Sequence, residues 1–106
     1  MTDDNEINLN AEELRQKLNL ETGKIDWQEL QRSFARGVVI VAEKSLDLID
    51  VAVALSADDK EQFEEWVSND KVWRATDSDA KNWHQSSQLF WSVVIPPWVL
   101  VQEINE

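Results

Sequence analysis

A run of apolar residues near the end of the chain constrains the fold more than any other feature. Residues 89–101 are apolar at odd and even positions alike, with Ser92 as the only uncharged polar member and Pro96-Pro97 dividing the run. Such a stretch, rich in Val, Ile, Phe and Trp, is typical of a strand buried on both faces. Because proline cannot donate a backbone hydrogen bond to a sheet, the pair marks either the turn of a tight β-hairpin or a bend in one strand. The run is therefore predicted to form the centre of the core.

Length and composition indicate one domain that folds without a covalent staple. The chain has 106 residues, 42% of them hydrophobic, and is rich in tryptophan, with six Trp. We predict a flexible acidic tail over residues 1–8 and one globular domain over residues 9–106. The chain has no cysteine, which excludes disulfides and thiolate chemistry and fits a reducing compartment. The N-terminus does not resemble a secretory signal, and the longest apolar run is too short to cross a bilayer. We therefore expect a cytoplasmic protein without a membrane span.

The charge balance restricts the class of partner. Acidic side chains number 21 and basic ones 10, which gives a formal net charge of −11. Since the phosphate backbone is also negative, nucleic-acid binding is disfavoured and a basic protein partner is mildly favoured. The simplest interpretation is that the charge keeps a small domain soluble.

Local signals place the first two helices. Asn10 followed by Glu13 forms a capping box for a helix over residues 11–19, and Asp26 followed by Glu29 repeats the pattern for a second helix that ends at Gly37. We interpret the two as a helical hairpin joined by a turn over residues 21–24.

The rest of the chain alternates short strands with helices. Strands are predicted over residues 38–42 and 71–75, and helices over residues 60–68 and 77–87, the last capped by Thr76 with Asp79. Residues 46–55 fit either a buried helix capped by Asp47 or a second hairpin strand, and the helix is preferred. The predicted fold is a single-domain α+β structure, in which a small three- or four-stranded sheet is covered by about five helices.

Several landmarks along the chain form a recognisable set. They are Gly23-Lys24-Ile25-Asp26-Trp27, Leu30, Ala35-Arg36-Gly37, Leu46-Asp47-Leu48, Asp58-Asp59, Trp66 and Pro97-Trp98-Val99-Leu100-Val101-Gln102. The chain thus resembles a family of small bacterial proteins known only as domain of unknown function twenty-two eighty-eight, over roughly residues 10–103. The resemblance implies a bacterial, cytosolic, single-domain protein, and it implies no activity, cofactor or catalytic residue.

One group of side chains offers a candidate ligand site. His84 is the only histidine, and Asp77 and Lys81 precede it on the same predicted helix. Trp73 and Arg74 come from the short strand before that helix, and Trp83 adjoins His84. A small-molecule pocket near Trp73, Arg74, Asp77 and His84 is therefore one hypothesis, although a lone histidine is more often structural.

Other side chains carry less chemistry. The carboxylates over residues 58–65 do not match a calcium loop, and we interpret them as a solvated helix face. The remaining four tryptophans, among them Trp91 and Trp98, are interpreted as packing residues because they lie in apolar patterns. No catalytic residue, metal site or cofactor is predicted.

The preferred functional hypothesis is a non-enzymatic protein-interaction module. The predicted last strand, Trp98–Glu103, is expected to present an unpaired edge through which the chain pairs with a second copy or another protein. Trp98, Leu100 and Gln102 are the predicted interface residues. The alternatives are a small-molecule-binding protein or small enzyme with the pocket near His84, and an acidic inhibitor of a basic partner.

Overall fold

A mixed sheet of five strands runs through the centre of residues 10–105, which are the residues that the computed structural model describes. In chain order the elements are α1 (Ala11–Glu21), β1 (Gly23–Asp26), α2 (Trp27–Ala35), β2 (Val39–Ala42), α3 (Leu48–Ser56), α4 (Lys60–Ser68), β3 (Val72–Arg74), α5 (Asp77–Ser86), β4 (Leu89–Ile95) and β5 (Trp98–Glu103). The predicted tail over residues 1–8 lies outside the described residues. The α+β class and the five helices are confirmed.

The helices begin where their capping signals predict. The backbone N–H of Glu13 donates to Asn10 Oδ1 at 2.8 Å, and that of Glu29 donates to Asp26 Oδ1 at 2.9 Å. Thr76 closes a third capping box at the start of α5. Each box links residues three apart, so its geometry follows from local sequence. Residues 46–55 contain most of α3, which resolves their ambiguity in favour of the helix.

The apolar run forms a β-hairpin. β4 and β5 pair antiparallel from Phe90 with Glu103 to Ile95 with Trp98, and Pro96-Pro97 forms the turn with a cis peptide bond. Of the two arrangements left open for the prolines, the hairpin is therefore the one adopted.

The sheet has one strand more than expected. Residues 23–26, interpreted as the end of a turn and the start of a helix, form β1 and pair antiparallel with β4, with Ile25 opposite Phe90. Ile25 is the only apolar residue of β1, so this strand has almost no pattern of its own and depends on its partner.

The expectation that β5 lies at an edge is wrong. The strand order is β1-β4-β5-β2-β3, and β5 pairs antiparallel with β4 and parallel with β2. The edges are instead β1 and β3. β5 is the last strand in the chain, yet it lies inside the sheet. The reason is that β2, which is separated from β5 in sequence by α3 to β4, pairs with the side of β5 that β4 leaves open.

Helices cover both faces of the sheet and create two cores. On the first face Leu18 of α1, Val51 of α3 and Phe63 of α4 pack against Leu100 and its neighbours. On the second face Trp27 and Leu30 of α2 and Trp83 of α5 pack against the sheet. Their partners there include Phe90 of β4 and Val101 of β5. Because alternate residues of β5 serve opposite cores, the β5 half of the apolar run is buried on both sides as predicted, whereas Trp91 and Val94 of β4 are exposed.

Within residues 10–105 no helix is both long enough and apolar enough to cross a membrane.

Candidate functional site: a cleft beside Trp98

The four residues of the predicted ligand pocket lie at separate places. Trp73 and Arg74 are consecutive on β3 and therefore point to opposite faces of the sheet. Trp73 packs into the second core, and its indole N–H donates to Asp79 Oδ2 at 2.9 Å. Arg74 is exposed on the first face, where its guanidinium carbon lies 5.4 Å from the ring centroid of Trp98.

The remaining two, Asp77 and His84, are both exposed on α5 and are seven residues apart. At the rise of an α-helix their backbones lie about 10 Å apart along the axis, so the carboxylate does not orient the imidazole directly. His84 lines a separate cavity of about 270 Å³ near the start of α2, beside Asp26 and Trp27. The structure thus does not bring the four predicted residues together.

Trp27, in the wall of that cavity, has an unusual polar atom. Its Nε1 is buried and has no hydrogen-bond partner among residues 10–105. The ring packs at centroid distances of 5.6 Å against both Phe34 and Trp83, and aromatic faces are weak acceptors for an N–H group. Trp27 is therefore best described as part of the second core.

The three predicted interface residues also lie in different environments. Leu100 is completely buried in the first core and is not available to a partner. Gln102 is half-buried, and its side-chain amide donates to the backbone carbonyls of Glu43, at 3.0 Å, and Leu46, at 2.8 Å. Trp98 remains at the surface, where it is half-buried.

Trp98 forms one wall of an open cleft of about 280 Å³, which we call the Trp98 cleft. It lies where β2 and β5 begin, between the sheet and the junction of α3 with α4. Its apolar lining consists of Ile40, Ala54, Leu55, Phe63 and Trp98, and its charged lining consists of Asp58, Asp59, Lys60 and Glu64.

A tight turn between α3 and α4 shapes one end of the cleft. Asp58 adopts a positive φ of 57°, a conformation that Asp tolerates better than most residues. The backbone N–H groups of Asp58 and Asp59 donate to the carbonyls of Leu55 and Ala54, which ends α3. The Asp59 carboxylate then accepts from the backbone N–H of Gln62 at 3.2 Å and caps α4. The turn thereby holds two exposed carboxylates at the rim.

Arg74 lies beside the Trp98 wall of the cleft. Its guanidinium lies over the Trp98 ring, an arrangement in which the cation is attracted to the aromatic face. Arg74 is also the register partner of Ile40, another lining residue. The cleft therefore combines an apolar lining with carboxylates from the α3–α4 turn and α4, and Arg74 adjoins its Trp98 wall.

This arrangement is suited to binding. An open cleft with an aliphatic and aromatic lining receives an apolar group, and charged groups on its rim orient what is bound. Among residues 10–105, no three His, Asp or Glu side chains are arranged to hold a metal ion.

Only part of this site is visible in the sequence. Trp98 and Arg74 belong to different predicted sites, and Leu55 and Phe63 lie within segments predicted as helices. The lining comes from three separate segments of the chain, so no local pattern marks it.

The fold and the cleft define a small α+β protein with a largely apolar cleft at one end of its sheet. The chain belongs to the family of proteins of unknown function designated DUF2288, whose model matches residues 13–103. This confirms the resemblance seen in the sequence.

The chain is also similar to a solved structure described as the NMR solution structure of PA1075 from Pseudomonas aeruginosa. The two are 37% identical, with a TM-score of 0.78, over 94% of this chain and 93% of the other. A comparison with curated proteins found no match.

Proposed function

We propose that this protein is a non-enzymatic interaction module, which binds a partner protein by receiving an apolar side chain of that partner in the Trp98 cleft. The observation that carries the proposal is the lining of the cleft, where five apolar side chains surround an opening at the surface. A bacterial cytoplasmic setting belongs to the same proposal, and the similar Pseudomonas aeruginosa protein supports its bacterial part.

The physical driving force is burial of apolar surface. Moving a side chain of leucine or methionine size from water into an apolar site contributes about 1.5–3 kcal/mol. Tryptophan and arginine are enriched among the residues that dominate binding energy at interfaces, and here Trp98 and Arg74 stack against each other. The pair therefore supports a binding role for the cleft.

The interior position of β5 changes the route of binding that the sequence suggested. Backbone pairing with a further strand needs a free edge, and both edges of β5 are occupied. The proposal therefore retains a partner protein and assigns its contact to the side chains of the cleft.

A displayed library of random peptides, selected against the immobilised full chain, tests the proposal. We expect enriched peptides that contain a large apolar residue and lose binding at least tenfold on Trp98→Ala. Phe63→Ala, a change of a half-buried lining residue on α4, is expected to weaken the same peptides.

Trp91→Ala is the matched control, because Trp91 is 44% exposed on β4 and does not line the cleft. Backbone amide spectra of each variant establish that it is folded before binding is compared. Peptides that bind Trp98→Ala and Phe63→Ala as tightly as the wild type would refute the proposal, as would a selection that enriches nothing.

A further inference from the structure

We infer that the segment bound in the Trp98 cleft is basic: it carries lysine or arginine beside its apolar anchor, directed toward α4. This inference rests on the proposed function and specifies the class of partner. It follows from the distribution of charge around the cleft.

The α4 side of the cleft is strongly acidic. Residues 58–70 contain six carboxylates and one cation, Lys60. Asp58, Asp59 and Glu64 line the cleft itself and are exposed to solvent. A lysine or arginine that follows the anchor along this wall meets opposite charge in several positions, which favours association and suppresses acidic competitors.

Arg74 restricts where a cation of the partner can lie. Its guanidinium lies over the Trp98 ring, so a cation placed at that ring face meets like charge. The basic residues of the partner are therefore expected to lie beside Asp58, Asp59 and Glu64 and away from Arg74. An amphipathic segment fits this arrangement, with its apolar side chain on Ile40 and Trp98.

Charge argues against the two occupants that this chain can itself supply. A second copy carries the same net charge of −11, and residues 1–8 contain Asp3, Asp4 and Glu6 and no basic side chain. Like charges at contact distance oppose association. A separate basic protein is thus the occupant that the observations favour.

Two capped peptides serve as probes. They share a leucine pair and differ in whether lysine or glutamate flanks it. Binding to the full chain is measured by calorimetry and by the shift of the Trp98 indole N–H signal, at low and at physiological salt. We expect the lysine peptide to bind at least tenfold more tightly than the glutamate peptide, with a difference that shrinks as salt is added.

Variants that each remove one carboxylate charge test which acidic residues of the cleft attract the lysine peptide. Asp58→Asn keeps a residue that accepts a positive φ, and Glu64→Gln keeps the size of the side chain. Each is expected to weaken the lysine peptide about two- to fivefold, as for an exposed ion pair. Glu12→Gln, exposed on α1 and outside both the cleft lining and residues 58–70, is the control and should change nothing.

The outcomes separate this inference from the proposed function. Equal binding of the two peptides, lost in both cases on Trp98→Ala, would overturn the basic partner and leave the interaction module standing. If neither peptide binds or shifts the Trp98 signal, and the peptide selection also fails, both are refuted. A dimer seen by light scattering at high micromolar concentration and abolished by Trp98→Ala would identify a second copy as the occupant and overturn the inference.

Discussion

Replacing Gln102 tests whether this residue is structural, as its contacts indicate, or part of an interface, as its place in the sequence suggested. Gln102 is half-buried on β5, and its side-chain nitrogen donates to the carbonyl oxygens of Glu43 and Leu46. These two bonds attach the connection between β2 and α3 to the middle of the sheet. Gln102→Met keeps the length of the side chain and removes both donor bonds.

The expected loss follows from the number and geometry of these bonds. At 3.0 and 2.8 Å both are of normal length, and a typical intramolecular hydrogen bond contributes about 1 kcal/mol to stability. We therefore expect Gln102→Met to lower the free energy of unfolding by about 2 kcal/mol. For a chain of this size that corresponds to a fall of roughly 10 °C in Tm.

Urea unfolding followed by tryptophan fluorescence measures the effect. The denaturant slope should stay unchanged, since the same surface is exposed on unfolding. Gln85→Met is the matched control, because Gln85 is exposed on α5 and methionine and glutamine have similar helix propensities. A Gln102→Met variant within about 0.5 kcal/mol of wild type, the range of ordinary surface substitutions, would refute the structural role.

Two further predictions concern carboxylates. Glu103 Oε2 accepts from the indole N–H of the buried Trp83 at 2.7 Å, so Glu103→Ala should cost about 2 kcal/mol in the same urea assay, as for a hydrogen bond to a charged group. Glu103→Gln keeps an acceptor and should cost less than half as much, and equal losses would contradict the hydrogen-bond explanation. The Ser45 hydroxyl and backbone N–H donate to the Glu43 carboxylate and lower the pKa of Glu43 below its ordinary 4.5. Because the folded state favours the charged form of Glu43, the ionised carboxylate stabilises the fold above about pH 4.5, and this contribution is lost as pH falls. The stability difference between wild type and Glu43→Gln should therefore be largest above about pH 4.5 and disappear in acid. Ser45→Ala should reproduce part of the change, and a difference independent of pH would exclude this origin.

Where the determinants are local, the sequence predicted the structure well. Asn10 with Glu13, and Asp26 with Glu29, lie three residues apart, and their caps form without help from the rest of the chain. Asp47 also caps its helix as expected, but Asp50 does not complete a box with it. Asp50 instead pairs with Arg15 of α1, a contact 35 residues away that no local pattern contains.

Tryptophan exposure shows the limit of such patterns. Trp83, the neighbour of the predicted pocket residue His84, is 2% exposed, whereas Trp91, interpreted as a packing residue, is 44% exposed. Trp83 lies between α5 and the sheet, at 4.9 Å from the ring of Phe90. Trp91 lies opposite Lys24 of β1, whose ammonium is 6.0 Å from its ring, close to the edge of the sheet. Which tryptophan the helices cover depends on the strand order.

The sequence by itself determined the α+β class, the capped helices and the break of the apolar run at Pro96-Pro97, because composition, caps and prolines act within a few residues. The sequence left open whether the two halves of that run pair as a hairpin, and the structure shows that they do. Tertiary structure alone decided that β5 lies inside the sheet, that residues 23–26 become a strand, and that Ile40, Phe63 and Trp98 share a cleft. Each of these depends on pairing or packing between distant segments, and many arrangements satisfy the same local pattern. The surface through which we propose that the protein binds its partner is one of those long-range products.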